Sequence, residues 1–245
     1  MSDAVEPSPS AQGMATADPM QGRILQLLQG GFPLMRFPRD LEQEFVDDTL
    51  QRRRRHFLIS GLVSLVIYNG FLLVDWLMAR DVFWLALELR VMLFTPVSLL
   101  VIWALWRPDS VAARFLPPEW SEVFVLASGL IAALTLAMIL SETRSPYAHF
   151  YHVGFIVIIM YGNVVQRLRF WNAVVFSLCM LAIHLGGILW LPSMPPRLLP
   201  PLVSLVCSTA LFTLMANYMM ERDERIHHLL TLKERGLVQI GRAHV

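Results

Sequence analysis

The sequence predicts an all-α integral membrane protein: six transmembrane helices in a bundle, a cytoplasmic interfacial helix before them and a cytoplasmic exit helix after them. Three observations predict it. Hydrophobic residues make up 56% of the 245 and charged residues 16%, with a mean hydropathy of +0.53, where a soluble domain carries charge on about a quarter of its residues. Six apolar stretches, at about 57–77, 83–106, 121–140, 147–165, 170–191 and 198–220, are each long enough to cross a bilayer. The alternating strands of roughly 10 residues that build a membrane barrel are absent. In hydrocarbon the backbone must satisfy its own hydrogen bonds, and at this segment length that means a helix.

Residues 1–22 read as a disordered leader. They are rich in Ser, Pro and Ala and lack the basic start and apolar core of a secretory signal. A cytoplasmic, interfacial helical segment follows over 23–55. Its clearest part is a helix over about 40–55, with Leu41, Phe45 and Thr49 on one face. Glu42, Glu44, Asp47 and Asp48 load its front and Arg52, Arg53, Arg54 and Arg55 its back, which complements the helix dipole. The membrane domain proper occupies 56–220.

Orientation follows from the basic residues. Arg52, Arg53, Arg54, Arg55, Arg107, Arg114, Arg167, Arg169, Arg222, Arg225, Lys233 and Arg235 fall on one side and Arg80, Arg144 and Arg197 on the other, twelve against three. That bias places both termini in the cytoplasm. Trp76, Trp106, Trp120, Trp171 and Trp190 stand near span ends, as in an aromatic belt, and Tyr147 and Tyr151 are read as belt residues too. Pro96 is expected to bend the second span. After the sixth span, 221–239 continues as a charged helix with no stop signal.

Ionisable groups inside spans mark functional sites. Asp75, Glu88, Arg90, Glu142, His149 and His152 crowd the outer half and form the candidate sensing or ion-pair cluster. Asp75 or Arg144 is the expected partner of Glu88 or Arg90. His149 and His152, three apart on one helix face, offer a metal pair or a pH sensor, against the plainer reading of two interfacial histidines without a ligand. No metal site is assigned. His184, deep in the fifth span, offers a haem ligand but no partner histidine at matching depth with clear spacing, and is read as a hydrogen-bonded packing residue. Asn69, Asn163, Asn172 and Asn217 are expected to hydrogen-bond between helices. Gly129, Ala133 and Ala137 form a small-residue stripe that allows close helix approach, within the bundle or in a dimer.

No catalytic motif is present: there is no phosphate-cradling glycine loop with a lysine, no HExxH and no nucleophile elbow. Basic residues are not interleaved with aromatics as in a nucleic-acid groove.

The scattered positions Phe37-Pro38, Leu41-Glu42, Phe45, the basic block 52–56, Phe71-Leu72 and Asp75-Trp76 form a pattern. It continues through Leu89-Arg90, Pro96, Ser145-Pro146-Tyr147, Tyr161-Gly162-Asn163, RLRFW at 167–171, Asn217-Tyr218 and Glu221-Arg222. The pattern resembles the N-terminal six-helix membrane sensor of bacterial diguanylate cyclases. That resemblance implies an inner-membrane, homodimeric module feeding a GGDEF domain, which would make cyclic di-GMP from GTP with Mg²⁺. No such domain lies in this chain, so GTP and Mg²⁺ belong to a missing catalytic part and 221–239 is the start of its linker. Residues 240–245 correspond to what a common sequencing-library adapter encodes and are expected to be an artefact. Alternative outputs are a histidine kinase and, with less support from the sequence, a small transporter.

Overall fold

Every regular element among the described residues of the computed structural model, 19–107, 109–115, 117, 120–190 and 196–243, is helical. The expected leader falls almost wholly outside them. So do His244 and Val245, while 240–243 continues the last helix. The chain divides into two compact units, one of Met1–Phe45 with Arg222–Val245, the other Val46–Glu221.

In the first unit, α1 (Pro19–Gly30) closes where Gly31 takes a φ of 72°, a left-handed conformation that suits glycine after a helix end. Ile24, Phe37, Leu41, Phe45 and Leu229 bury one another. Glu42 reaches back to accept the Phe37 N–H at 2.8 Å, satisfying a donor at the mouth of α2 (Arg39–Gly70). The same carboxylate takes both arms of Arg225, at 2.7 and 3.0 Å. The Arg225 guanidinium also lies 5.0 Å and 4.7 Å from the Phe37 and Phe45 ring centroids. At the surface, Arg23 beside Asp40 holds that carboxyl below the usual carboxylate range.

The second unit holds the remaining helices: α3 (Leu72–Met78), α4 (Phe83–Glu88), α5 (Thr95–Trp106), α6 (Val111–Phe115), α7 (Ser121–Glu142), α8 (His152–Met160) and α9 (Phe170–Trp190). The apolar half of α10 (Leu199–Ala243) also belongs to it. Five helical stretches are long and apolar enough to cross a membrane: Arg39–Met78, Arg80–Trp106, Ser121–Glu142, Phe170–Leu189 and Leu199–Val238. A sixth apolar stretch, His149–Val165, is shorter. Large apolar side chains, among them Val66, Leu77, Met92, Leu189 and Phe212, face outward, an arrangement that water disfavours over so wide a surface.

Two boundaries differ from the sequence expectation. The charged helix at 40–55 is not a separate surface-lying element; it is the first part of α2, because no glycine or proline interrupts the chain between Arg39 and Ser60. The second expected span, 83–106, is not one regular helix, and Pro96 stands where its regularity changes. It follows a wide π-helical turn, Leu89–Phe94, in which the Thr95 N–H reaches back five residues to the Arg90 carbonyl, and it opens the regular α5. Proline is tolerated there because a first-turn N–H has no partner within its own helix.

The core sits between α7 and α9. Ala133 is fully buried, and Leu136, Ile139 and Leu140 join Ala173, Phe176 and Met180 in one cluster. A Cβ on Gly129 would stand 2.9 Å from the Phe176 ring, and one on Gly187 would meet Ala137 at 3.8 Å. The small-residue stripe thus packs within the bundle, the first of its two readings. Enlarging Ala133 to Leu should lower the thermal midpoint of the purified protein by the equivalent of about 1–3 kcal/mol, the usual cost of overpacking. An unshifted midpoint in thermal unfolding would show that this face tolerates extra volume.

Candidate functional site

Three gatherings of polar groups stand out in the Val46–Glu221 unit. The first is a buried ion pair. Asp75 on α3 is 0% exposed and Arg90, in the π turn, is 2% exposed. Arg90 binds it with Nε at 2.6 Å and Nη2 at 3.2 Å. The Tyr151 hydroxyl donates to Asp75 Oδ1, the oxygen that Nη2 also reaches, at 3.0 Å. Arg90 Nη1 donates to the Tyr68 carbonyl at 3.0 Å, and the guanidinium stacks 4.3 Å from the Tyr68 ring centroid. Tyr68 in turn donates to the Ala132 carbonyl and meets the Thr135 hydroxyl. The network thus links α2, α3, the π turn, α7 and the short turn Ala148–Tyr151 through one guanidinium.

The second is a histidine pair. His152 Nδ1 and His184 Nε2 lie 3.0 Å apart with rings at 87°, and each residue is 1% exposed. His152 Nε2 and His184 Nδ1 have no partner among the described residues. Whichever way the shared proton sits, two neutral rings leave one bare nitrogen and one N–H pointing elsewhere.

The third is a collar of helix caps. The N-terminus of α9 presents the Arg169 and Phe170 N–H groups to the carboxylates of Glu122 and Glu221. Asn217 Nδ2 donates to the carbonyls of Asn163 and Leu168, at 2.8 and 2.7 Å. Asn163 Nδ2 bridges Ser177 and Thr213, both at 2.9 Å. Arg167 takes a left-handed φ of 55°, and Arg53 Nη2 donates to its carbonyl at 2.9 Å. Arg54 covers the end of α5 by donating to the Leu105 and Trp106 carbonyls, at 2.6 and 3.2 Å. His56 lies 2.8 Å from the Val165 carbonyl. Helix ends leave four groups unsatisfied each, and here charged and amide side chains close them.

Beside Arg90 lies a cavity of about 60 Å³. Its walls include Tyr68 and Phe71, Arg90 and Phe94, Gly129 and Ala132, Gly162 and Phe176. Gln166, 6% exposed, also lines it and makes no side-chain hydrogen bond among the described residues.

Of the six cluster residues expected from the sequence, only Asp75 and Arg90 meet. Glu88 and Glu142 are exposed, and Arg144 offers its backbone N–H to Asp81 at 2.7 Å. The His149 ring lies tilted against that of its neighbour Phe150, 4.4 Å between centroids, and His152 pairs with His184 instead. Two expectations are therefore corrected. His184 has a partner histidine, hidden from a linear reading because it lies 32 residues away on another helix. Tyr151 is a buried ligand of Asp75 and not a belt residue, because the turn before α8 points it inward. Asn69, Asn163 and Asn217 do bond between helices, Asn69 through Thr95 at 3.0 Å.

No family model, curated protein or solved structure matches the chain.

Replacing Arg90 alone with Met strands a buried carboxylate and should destabilise the protein by about 3–5 kcal/mol. The double change Asp75→Leu with Arg90→Met removes both charges and should recover most of that loss. Thermal unfolding of the two variants side by side checks it; equal losses would mean that the pair's geometry, and not its charge balance, matters.

Proposed function

We propose that the chain is the membrane-embedded sensory and anchoring module of a diguanylate cyclase, set in a bacterial inner membrane as a homodimer. It crosses six times with both termini in the cytoplasm, the fourth pass being supplied by His149–Val165, whose 17 residues sit at the lower limit for a crossing. The observation that carries the reading is α10. It runs unbroken for 45 residues, apolar in its first half and charged in its second. Its charged half is gripped through Arg225, which Glu42, Phe37 and Phe45 enclose. A continuous helix transmits rotation or displacement of one end to the other, and a bidentate ion pair with aromatic walls is a discrete contact that can be made or broken.

A further support comes from where the resembling residues fall. The basic block 52–56, Tyr161-Gly162-Asn163, RLRFW and Asn217 converge on the cap collar of α9, and Phe37, Glu42, Phe45 and Arg225 converge on one contact. Positions scattered in the chain become neighbours in space. That is what a shared structural framework requires.

Residues 1–239 fused to an active GGDEF domain provide the test. Glu42→Gln and Arg225→Met should each change cellular cyclic di-GMP by about fivefold or more, the size of a typical coupling free energy, at equal protein in the membrane fraction. Unchanged output from both variants would overturn the transmitting role. A topology reporter placed after Arg235 that is active outside the cytoplasm would overturn the orientation.

A further inference from the structure

The His152–His184 pair has no part in transmission along α10, and packing alone does not account for it. The two rings come from different helices, α8 and α9, and face each other nitrogen to nitrogen at 3.0 Å. Both are buried, and the buried Phe155 packs against them, its ring centroid 6.5 Å from that of His152 and 5.0 Å from that of His184. A histidine kept in a core for packing ordinarily has both nitrogens satisfied. Here each ring's only polar contact among the described residues is the other ring. Nothing holds either ring from behind, so both can turn.

The donors around the pair select what it can hold. Met180 stands four residues before His184 on α9, fully buried in the same cluster as Phe155. Residues four apart share a helix face, and helical side chains lean towards the N-terminus, which carries the His184 ring over the turn of Met180. No group of three or more His, Cys, Asp or Glu side chains gathers among the described residues. Zn²⁺ would therefore lack its four ligands and a hard cation its oxygens. A doubly charged ion would also find no counter-charge in this set. Two neutral imidazoles and a thioether suit a soft, singly charged ion of low coordination number.

We propose that His152 Nδ1, His184 Nε2 and the Met180 sulfur form a binding site for copper(I). With metal–nitrogen bonds of roughly 2 Å and an angle near 120°, the two nitrogens stand about 3.5 Å apart, so the rings part by about 0.5 Å to admit the ion. The proton they share moves to the outer nitrogen of the ring that carried it, the nitrogen left bare in the neutral pair. One hydrogen bond is lost, two metal–nitrogen bonds form, no proton is released and copper stays monovalent. Phe155 keeps water from the ion. Without acceptors behind the rings the site exchanges its ion readily, since outer-shell partners are what tighten metal sites. The site rests on these residues and not on the orientation of the chain or the identity of any output domain.

The full chain in lipid nanodiscs, titrated with copper(I) under ascorbate against the chromophoric chelator bicinchoninate, provides the test. One copper(I) per chain should bind, and copper K-edge absorption should show two nitrogen neighbours and one sulfur. Met180→Leu keeps the volume but removes the sulfur; it should weaken binding by at least about tenfold and strip the sulfur from the spectrum. His184→Gln should abolish binding, whereas His149→Ala, in the turn before α8, should leave it unchanged. Affinity should stay level from neutral to mildly alkaline pH, because no proton is released. A chain that takes up no copper(I), or whose bound copper shows no sulfur neighbour, would sink the proposal; these measurements on the unaltered chain decide even if a variant fails to fold. So would binding that His149→Ala removes and His184→Gln spares, or zinc(II) displacing copper(I) at equal concentration.

Discussion

A guanidinium and a carboxylate that are both fully buried dominate this structure. Either charge alone in such surroundings would cost several kcal/mol. Asp75 and Arg90 are tolerable only together, with both carboxylate oxygens and three of the five guanidinium N–H groups paired. That requirement organises the helices around them. Tyr151 must turn inward to cover the carboxylate, and Tyr68 must lend its carbonyl and its ring to the guanidinium. The Thr95 hydroxyl donates to the Arg90 carbonyl at 2.8 Å, closing the wide turn that carries the arginine. The π turn and Pro96 belong to the same arrangement. Proline removes one backbone donor, and the widened turn before it places the neighbouring groups where the threonine can serve them.

The α9 collar follows the same logic with different chemistry. A helix that begins inside a bundle exposes N–H groups to a place without water, and the dipole there favours negative charge. Glu122 and Glu221 supply it. Carbonyls at the ends of α5 and of the turn after α8 receive the donors of Arg54 and of Arg53. The basic block therefore has a structural part of its own. Its side chains are structural caps, with Arg53 also 3.4 Å from Glu122. In the other unit, Glu42 combines the two roles, capping α2 and holding Arg225.

Much of this was readable in one dimension. That the chain is helical, with several helices long and apolar enough to cross a membrane, follows from apolar run length, and the charged stretches flanking the apolar ones were evident. The stripe of Gly129, Ala133 and Ala137 announced close packing, because small side chains at a spacing of four leave one helix face shallow. Within the site the reading was partial. Asp75 and Arg90 were both suspect as charges in apolar company, yet Glu88 and Glu142 raised the same suspicion and are exposed. A helix turns about 100° per residue, so a shift of one position can move a group from core to surface. Tyr151 lies in the turn before α8 and the partner of His184 lies 32 residues away, so no local pattern revealed either.

By itself the sequence determined the class of architecture, since long apolar segments with few charges can satisfy their backbones only as helices. It also determined which residues are too costly to bury alone. The tertiary structure decided who meets whom: Asp75 with Arg90 and Tyr151, His152 with His184, Glu221 with the start of α9. Those pairings depend on helix rotation and axial offset between segments distant in the chain. Such quantities are set by the packing of whole faces against one another, and no local pattern of residues encodes them.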